Sequence, residues 1–443
     1  MAYTQMLRID RIGPDELDLL LARGFFRMHQ GVFTCTFLSD EDGLHSVVWT
    51  RRPLQGAPLP ASARRRLRRV QQRMRVVVQP CRLDAEREEL YSRYFQHVGG
   101  NRSETLRGVL FGDEAVEAAS ARARARAEAG EQDARLDDMI DALLEEMAED
   151  QRVADPRAPI PAASADEDDA DEPSGPRPRA LRLDLDEAVF DLPTAPTRAR
   201  AARAAGRLPG DRFDSWEVTI RDGGRLVGYS IFDIGHDSME SIIGVYDPDY
   251  ARFGLGAVTM LVEIEWGAAA GFQWHYAGYI VPGVQAFEYK RDVGYLQFWD
   301  TEAELWRPIS ALEPSDLAGP RIERALAVAG EALRAAGYPT ERVLNSPYRV
   351  VQLNNGAHQF IGEPYLLRWG GAGGGLQRVI TYDLYTHRYQ VDLCLPSRDL
   401  SQVLPHAEVQ GQACQTRLLH RLKRVGATAD PHQLAALLEA SLR

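Results

Sequence analysis

The spacing of apolar residues changes period twice between Ile242 and Tyr295. Ile242, Ile243 and Val245 read as a buried strand, and Asp247-Pro248-Asp249 predicts the turn that ends it, because proline presets φ and aspartate bonds its own backbone. Beyond Gly254 and Gly256, apolar residues recur at Val258, Leu261, Val262, Ile264, Trp266 and Ala269. This spacing predicts a broad helical face about three turns long that stops at Gly271. Phe272 to Tyr279 then returns as a second strand. The unit is β-loop-α-β with glycines where the helix begins. Free backbone N–H groups at such a terminus suit a pyrophosphate, and a tight turn into a packed helix accounts for the same glycines.

Upstream, Pro14 to Ala22 has the pattern of a short amphipathic helix, Gly24 to Phe37 alternates as strands do, and Val47-Val48-Trp49 predicts another strand. The run from Arg64 to Arg75 is different. Leu67, Val70 and Met74 share one helical face, while Arg64, Arg65, Arg66, Arg68, Arg69, Arg73 and Arg75 project from the rest. Solvated helix faces usually mix signs, so an unbalanced cluster in an acidic chain predicts contact with an anion, nucleic acid above all. Val76 to Val78 follows as a strand closed by Gln79-Pro80, and Asp84 to Gln96 as a helix with Leu90 and Tyr94 inward.

From 112 to 212 the pattern breaks. Ala121 to Ala127 suits an exposed helix, and Leu136, Met139, Ile140, Leu143, Leu144 and Met147 fall on one helical face. Asp155 to Arg179 shifts to proline, alanine and the acidic run Asp166 to Glu172, too polar to offset its ordering entropy, which predicts a disordered linker. Order is expected again at Phe213. Trp216 to Ile220 and Leu226 to Phe232 form strands around the hairpin signal Asp222-Gly223-Gly224, and Leu296 to Trp299 with Trp306 to Pro308 closes the unit. The tail predicts a helix over Arg321 to Ala336, strands at Tyr348 to Leu353, Val379 to Tyr385 and Tyr389 to Leu395, and two terminal helices. Its run Gly370 to Gly375 lacks the Lys-Ser/Thr of a phosphate loop and reads as a turn.

Composition narrows the classes. The 443 residues, 44% hydrophobic, suffice for two or three cores, and the four scattered cysteines have no spacing suited to zinc. The N-terminus lacks the layout of a secretory signal and no apolar run reaches the length of a membrane span, so a cytoplasmic protein is expected. A net charge of -12 excludes a protein basic all over, which makes the local arginine excess the more telling.

Taken together, Tyr246-Asp-Pro-Asp249, Leu255-Gly256, Glu263-Ile-Glu-Trp266, Gly271, Gly278-Tyr279 and Tyr289-Lys290 resemble the C-terminal domain of arginyl-tRNA-protein transferases, including the bacterial leucyl-transferring branch. Leu90-Tyr-Ser-Arg-Tyr94, after an arginine-rich helix and a Val-rich strand ending in Gln-Pro, extends the resemblance into residues 20–111. It implies an α+β, acetyltransferase-like (GNAT-like) mixed sheet flanked by helices. The expected divisions are an N-terminal α+β domain (1–111), a long partly disordered insertion (112–212), the catalytic domain (213–312) and an extension of unassigned role (313–443). Aminoacyl-tRNA would be co-substrate, with no resident cofactor or metal, and a protein N-terminus beginning with Asp or Glu the acceptor.

The resemblance puts the catalytic candidates at Glu263, Glu265, Tyr279 and Tyr289, and the substrate-binding candidates at Lys290, Arg291, Tyr246, Gly256 and Trp266. The seven arginines of 64–75 would bind tRNA. The chain departs from the family in lacking the N-terminal cysteine motif and Cys-x-x-Cys cluster, in Val284 where a motif cysteine stands, and in Phe287 where methionine is usual. Those losses argue against an iron-sulfur or haem site. The acetyltransferase loop also wants its Arg or Gln one place further from the glycines than Arg252 stands, although an acyl-CoA-dependent N-acetyltransferase remains a rival reading, as does a non-catalytic RNA- or degron-binding adaptor. Because a disordered segment carries no fixed contacts, deleting Asp155 to Arg179 is expected to leave the wild-type unfolding midpoint in place. Loss of the cooperative transition in a denaturant titration would show instead that this segment belongs to the fold.

Overall fold

The computed structural model describes residues 6–8, 12–39, 44–98, 103–112, 208, 211–348, 360–370, 375–399, 408–409 and 412–442. The helices expected at 121–127 and 136–147, the acidic linker and most of the glycine run at 370–375 lie outside them.

The fold is α+β, built on a mixed sheet of eight strands. Their spatial order is Leu305–Pro308, Gln297–Asp300, Val48–Pro53, Trp274–Ile280, Ser238–Tyr246, Arg225–Ile234, Ser215–Asp222 and Arg75–Pro80. The pairing of Ser238–Tyr246 with Trp274–Ile280 is parallel and the other neighbours are antiparallel. Two of the eight strands come from before residue 112, so the sheet is continuous across the insertion.

On one face lies the helix Leu255–Ala270, itself covered by the helix Ala61–Gln71. This double cover explains why Leu255–Ala270 is apolar nearly all round, with Val258, Met260, Leu261, Val262 and Ile264 all buried. The approach to the sheet is close: a Cβ on Gly267 would stand 2.3 Å from Met239 Sδ. The helix Ala85–Val98 covers part of the opposite face, with Leu90, Tyr91 and Tyr94 packed on Tyr229, Ile231 and Val245.

A second sheet of seven strands forms the tail, backed by the helices Ala318–Ala335 and Leu434–Ala440. The strand at the start of the tail is Glu341–Asn345, whereas Tyr348 is helical and 349–353 lies outside the described residues. The end of the chain holds one long strand, Arg417–Thr428, before its last helix, where two helices were expected. Leu419, Leu422 and Val425 recur every third residue among basic ones in that strand, a spacing that reads as a helical face. The arginine-rich helix also ends earlier than expected, at Gln71, leaving Arg73 in a turn and Arg75 at the head of a strand that runs through Pro80.

Arg27 ties these parts together from within. Its side chain is 1% exposed; Nη1 donates to Ser215 Oγ at 2.8 Å and Asp233 Oδ1 at 3.0 Å, and Nη2 to Asp211 Oδ1 and the Leu110 carbonyl, both at 3.1 Å. The Arg27 backbone N–H donates to Glu240 Oε1 at 2.8 Å. Gln30 Nε2 repeats the link, donating to the Leu110 carbonyl at 2.9 Å and Asp211 at 3.1 Å. Burial opposes the Arg27 charge, and Asp233 and Asp211 outweigh it, so its pKa lies above the ordinary arginine value. Burial likewise pushes the Asp233 carboxyl up to about 6 against the pull of Arg27.

Replacing Arg27 with Met would leave these carboxylates buried without their counter-charge. Loss of one partner from such a pair commonly costs about 3 to 5 kcal/mol, so the Arg27→Met chain should unfold at a clearly lower denaturant midpoint. A change within about 0.5 kcal/mol, the range of an ordinary surface substitution, would show the cluster to be dispensable.

Candidate active site

The two parallel strands at the centre of the sheet part company. Ser238, Met239 and Glu240 pair with Trp274, His275 and Tyr276, after which one strand runs on to Tyr246 and the other to Ile280 outside that register. A V-shaped cleft therefore opens at their C-terminal ends, the end at which open α/β sheets place their ligands. Two irregularities widen it. The first strand shifts register between Ser241 and Ile243, and the second, against Val48–Pro53, between His275 and Gly278, where Gly278 takes φ 78°.

The helix N-terminus stands over the open end. Tyr246 leads through Asp247 into a 3-10 turn, Pro248–Phe253, and Gly254 at φ 62° and ψ 42° redirects the chain into the helix, a conformation only glycine adopts freely. Asp247 anchors the turn: its side chain is 1% exposed and its Oδ2 accepts from Arg225 at 2.5 Å and Arg93 at 3.1 Å. Gly256 lies against the Tyr246 ring, where an added Cβ would come within 3.5 Å. Tyr246 in turn meets Tyr94 edge-on at 5.2 Å.

Lys290 sits on the rim. Its Nζ donates to the Tyr279 carbonyl at 2.8 Å and stands 3.2 Å from where a Gly278 Cβ would be, so glycine makes room for the ammonium. The rings of Tyr279 and Phe287 flank it at 5.4 and 5.7 Å. Tyr289 is 39% exposed beside it, and Arg291 pairs with Glu288 at 3.1 Å. The next turn reaches the arginine helix, through Arg66 and Asp292 at 3.6 Å. On that helix and the turn after it Arg64, Arg65, Arg68, Arg69, Arg73 and Arg75 are exposed and, among the described residues, make no ion pair. The side therefore carries a cationic surface.

The four expected catalytic residues do not meet. Glu263 is fully buried; its Oε1 accepts from Ser230 Oγ at 2.5 Å and its Oε2 lies 3.0 Å from His275 Nε2. That carboxylate fixes the helix to two strands and has no surface to offer a substrate. Glu265, two residues on, points elsewhere, toward Arg52 and Arg64. Burial raises its pKa and the two guanidiniums oppose the rise. Arg52 lies opposite His275 on the neighbouring strand, and four residues of strand separate that level from Tyr279, about 13 Å. Trp266 is likewise a core residue, 2% exposed and packed on Trp216 and Phe232 at 5.3 and 5.6 Å. Its place on the buried face of a doubly covered helix leaves no route to a ligand. Tyr246 and Gly256 meet at the end of the first strand, and Tyr279 and Lys290 at the end of the second.

Sequence patterns alone do not single out His275, Ser230 or Arg27, each set among apolar or aromatic neighbours, or Arg52, which follows another arginine. Arg52 is fully buried, with Nη2 donating to the Ala57 carbonyl at 2.5 Å and Nε and Nη1 left without a partner. Burial pulls its pKa down to about 10. Among the described residues no group of three or more His, Cys, Asp or Glu could hold a metal ion, and no helix is long and apolar enough to cross a membrane.

Residues 86–300 match the family described as arginine-tRNA-protein transferase, C terminus. An aspartate/glutamate leucyltransferase of Leptospira interrogans (serovar copenhageni) is 31% identical over 97 residues, 22% of this chain and 35% of that protein. One from Stenotrophomonas maltophilia (strain K279a) is 32% identical over 91 residues, 20% of this chain and 36% of its own. Arginyl-tRNA--protein transferase 1 of Dictyostelium discoideum is 29% identical over 117 residues, 24% of this chain and 19% of that protein. The chain thus spans about a third of the length of these bacterial relatives. The stretch from 86 to 300 that matches this family contains both splayed strands and the helix between them.

Proposed function

We propose that this chain is an aminoacyl-tRNA-protein transferase. It moves an amino acid, arginine in the first place and leucine as the alternative, from charged tRNA to the N-terminal α-amine of a protein beginning with Asp or Glu. The observation that carries the reading is the splayed cleft with Lys290 on its rim and an unpaired arginine surface alongside. A cytoplasmic setting, where charged tRNA is at hand, goes with it.

The chemistry asks little of the protein. The α-amine attacks the ester carbonyl, an amide bond forms, the bond to the ribose oxygen breaks, and the proton lost by the amine replaces the acyl group on that oxygen. An α-amine has an ordinary pKa of about 7.7 to 8, so a useful fraction is already neutral near pH 7. Holding amine and ester together supplies most of the rest, since orientation alone is worth about 7 to 11 kcal/mol when the geometry is ideal. Tyr289, exposed beside Lys290, is the group best sited to relay the proton. Burial keeps Glu263 from that task, and distance keeps Glu265 from it.

Lys290 is the cation that would meet the acceptor's acidic side chain. It is half-buried, and removing one partner of a desolvated pair costs about 2 to 5 kcal/mol. The test is mass measurement of Asp- and Glu-initiated peptides incubated with the protein and a mixture of charged tRNAs. Wild type should add one residue, and Lys290→Met should be slower by about a hundredfold with tRNA binding unchanged. Equal rates would remove the lysine from the site. Acetylation of the peptides from acetyl-CoA, with no transfer from any charged tRNA, would replace the reading with that of an N-acetyltransferase.

A further inference from the structure

A pocket of about 500 Å³ opens beside the turn that feeds the central helix, away from the cleft itself. Arg73 reaches it from the turn after the arginine helix, Arg225 from the hairpin preceding Leu226, and Tyr250, Arg252 and Phe253 from the 3-10 turn. Two aspartates also line it, and both are engaged. Asp222 accepts the Tyr250 hydroxyl at 2.8 Å, while Asp249 lies 4.0 Å from Arg225, whose Nη2 is held by buried Asp247 at 2.5 Å. Among the described residues Arg73 and Arg252 make no ion pair. Two guanidiniums are left for an incoming anion.

The aromatic walls narrow the ligand further. Tyr250 and Phe253 are half-buried, with ring centroids 6.1 Å apart, and the Arg252 guanidinium stands 5.0 Å from the Phe253 ring. Half-exposed rings beside arginines free to bind phosphate are the combination by which proteins hold unpaired nucleotides, the base on the ring and the phosphate on the guanidinium. A helical RNA stem offers no free base face to such rings. Position adds to this. The pocket wall, residues 249–253, begins three residues after Tyr246, at the open end of the splayed strands.

On the reading of the chain as an aminoacyl-tRNA-protein transferase, on which this step rests, we infer that the pocket grips an unpaired nucleotide of the tRNA 3′ end and so presents the aminoacyl ester to the cleft. The arginine helix would hold the duplex stem and the pocket the single strand. The test compares the binding of uncharged tRNA with that of the same tRNA trimmed of its unpaired 3′ nucleotides. Wild type should lose about tenfold in affinity on trimming, the size of one stacked base. Tyr250→Ala and Arg252→Gln should each bind the two RNAs nearly alike, and the exposed position of Arg252 keeps its variant folded.

Either variant keeping the wild-type ratio, or a wild type indifferent to trimming, would overturn the pocket and leave the proposed activity standing. A wild type that binds neither RNA would overturn both.

Discussion

Everything in this fold hangs on one buried guanidinium. Arg27 meets Asp211, Asp233 and Ser215 through its side chain and Glu240 through its backbone, so an N-terminal strand, three strands of the main sheet and the segment around Asp211 share one polar centre. Charges so deep are expensive to desolvate and are tolerated only when paired on every side. Because Arg27 and Gln30 both also hold the Leu110 carbonyl, the chain leaves and re-enters the domain at neighbouring points.

The same tight base shapes the cleft above it. The helix between the splayed strands is pressed on the sheet at Gly267, and its Glu263 reaches Ser230 on the strand Arg225–Ile234 and His275 on the strand Trp274–Ile280. Past Glu240 and Tyr276 the two strands no longer pair, and each shifts register against its outer neighbour. The glycine turn at Gly254 then starts the helix beside the end of the first strand, with Gly256 against Tyr246. Rigid base and open mouth are therefore two parts of one arrangement.

Much of this was legible from the chain. The β-loop-α-β unit, the Asp222-Gly223-Gly224 hairpin and the arginine helix are local patterns, and periodicity reports local structure well. The roles of Glu263 and Trp266 were not legible. A broad apolar face does not reveal that a second helix covers the outer side, and only that second layer buries both residues. The contribution of Val48–Pro53 and Arg75–Pro80 to the main sheet was hidden for a related reason: strand pairing across more than a hundred residues leaves no trace in spacing. In the tail, the three-residue spacing of Leu419, Leu422 and Val425 among basic residues obscured a strand as a helix, since the branched and aromatic residues that would mark it are few.

The functional account depends most on the arginine surface beside the cleft, which distinguishes an enzyme served by tRNA from an acetyltransferase served by a small cofactor. Arginines that bind phosphates release condensed counterions, so affinity must fall steeply with salt. The direct measurement is tRNA binding across a salt series for wild type and for Arg65→Gln, Arg68→Gln, Arg69→Gln combined. The account predicts a steep wild-type slope that flattens in the triple variant by about one unit for each phosphate that no longer meets an arginine. Identical slopes and affinities for the two proteins would contradict it.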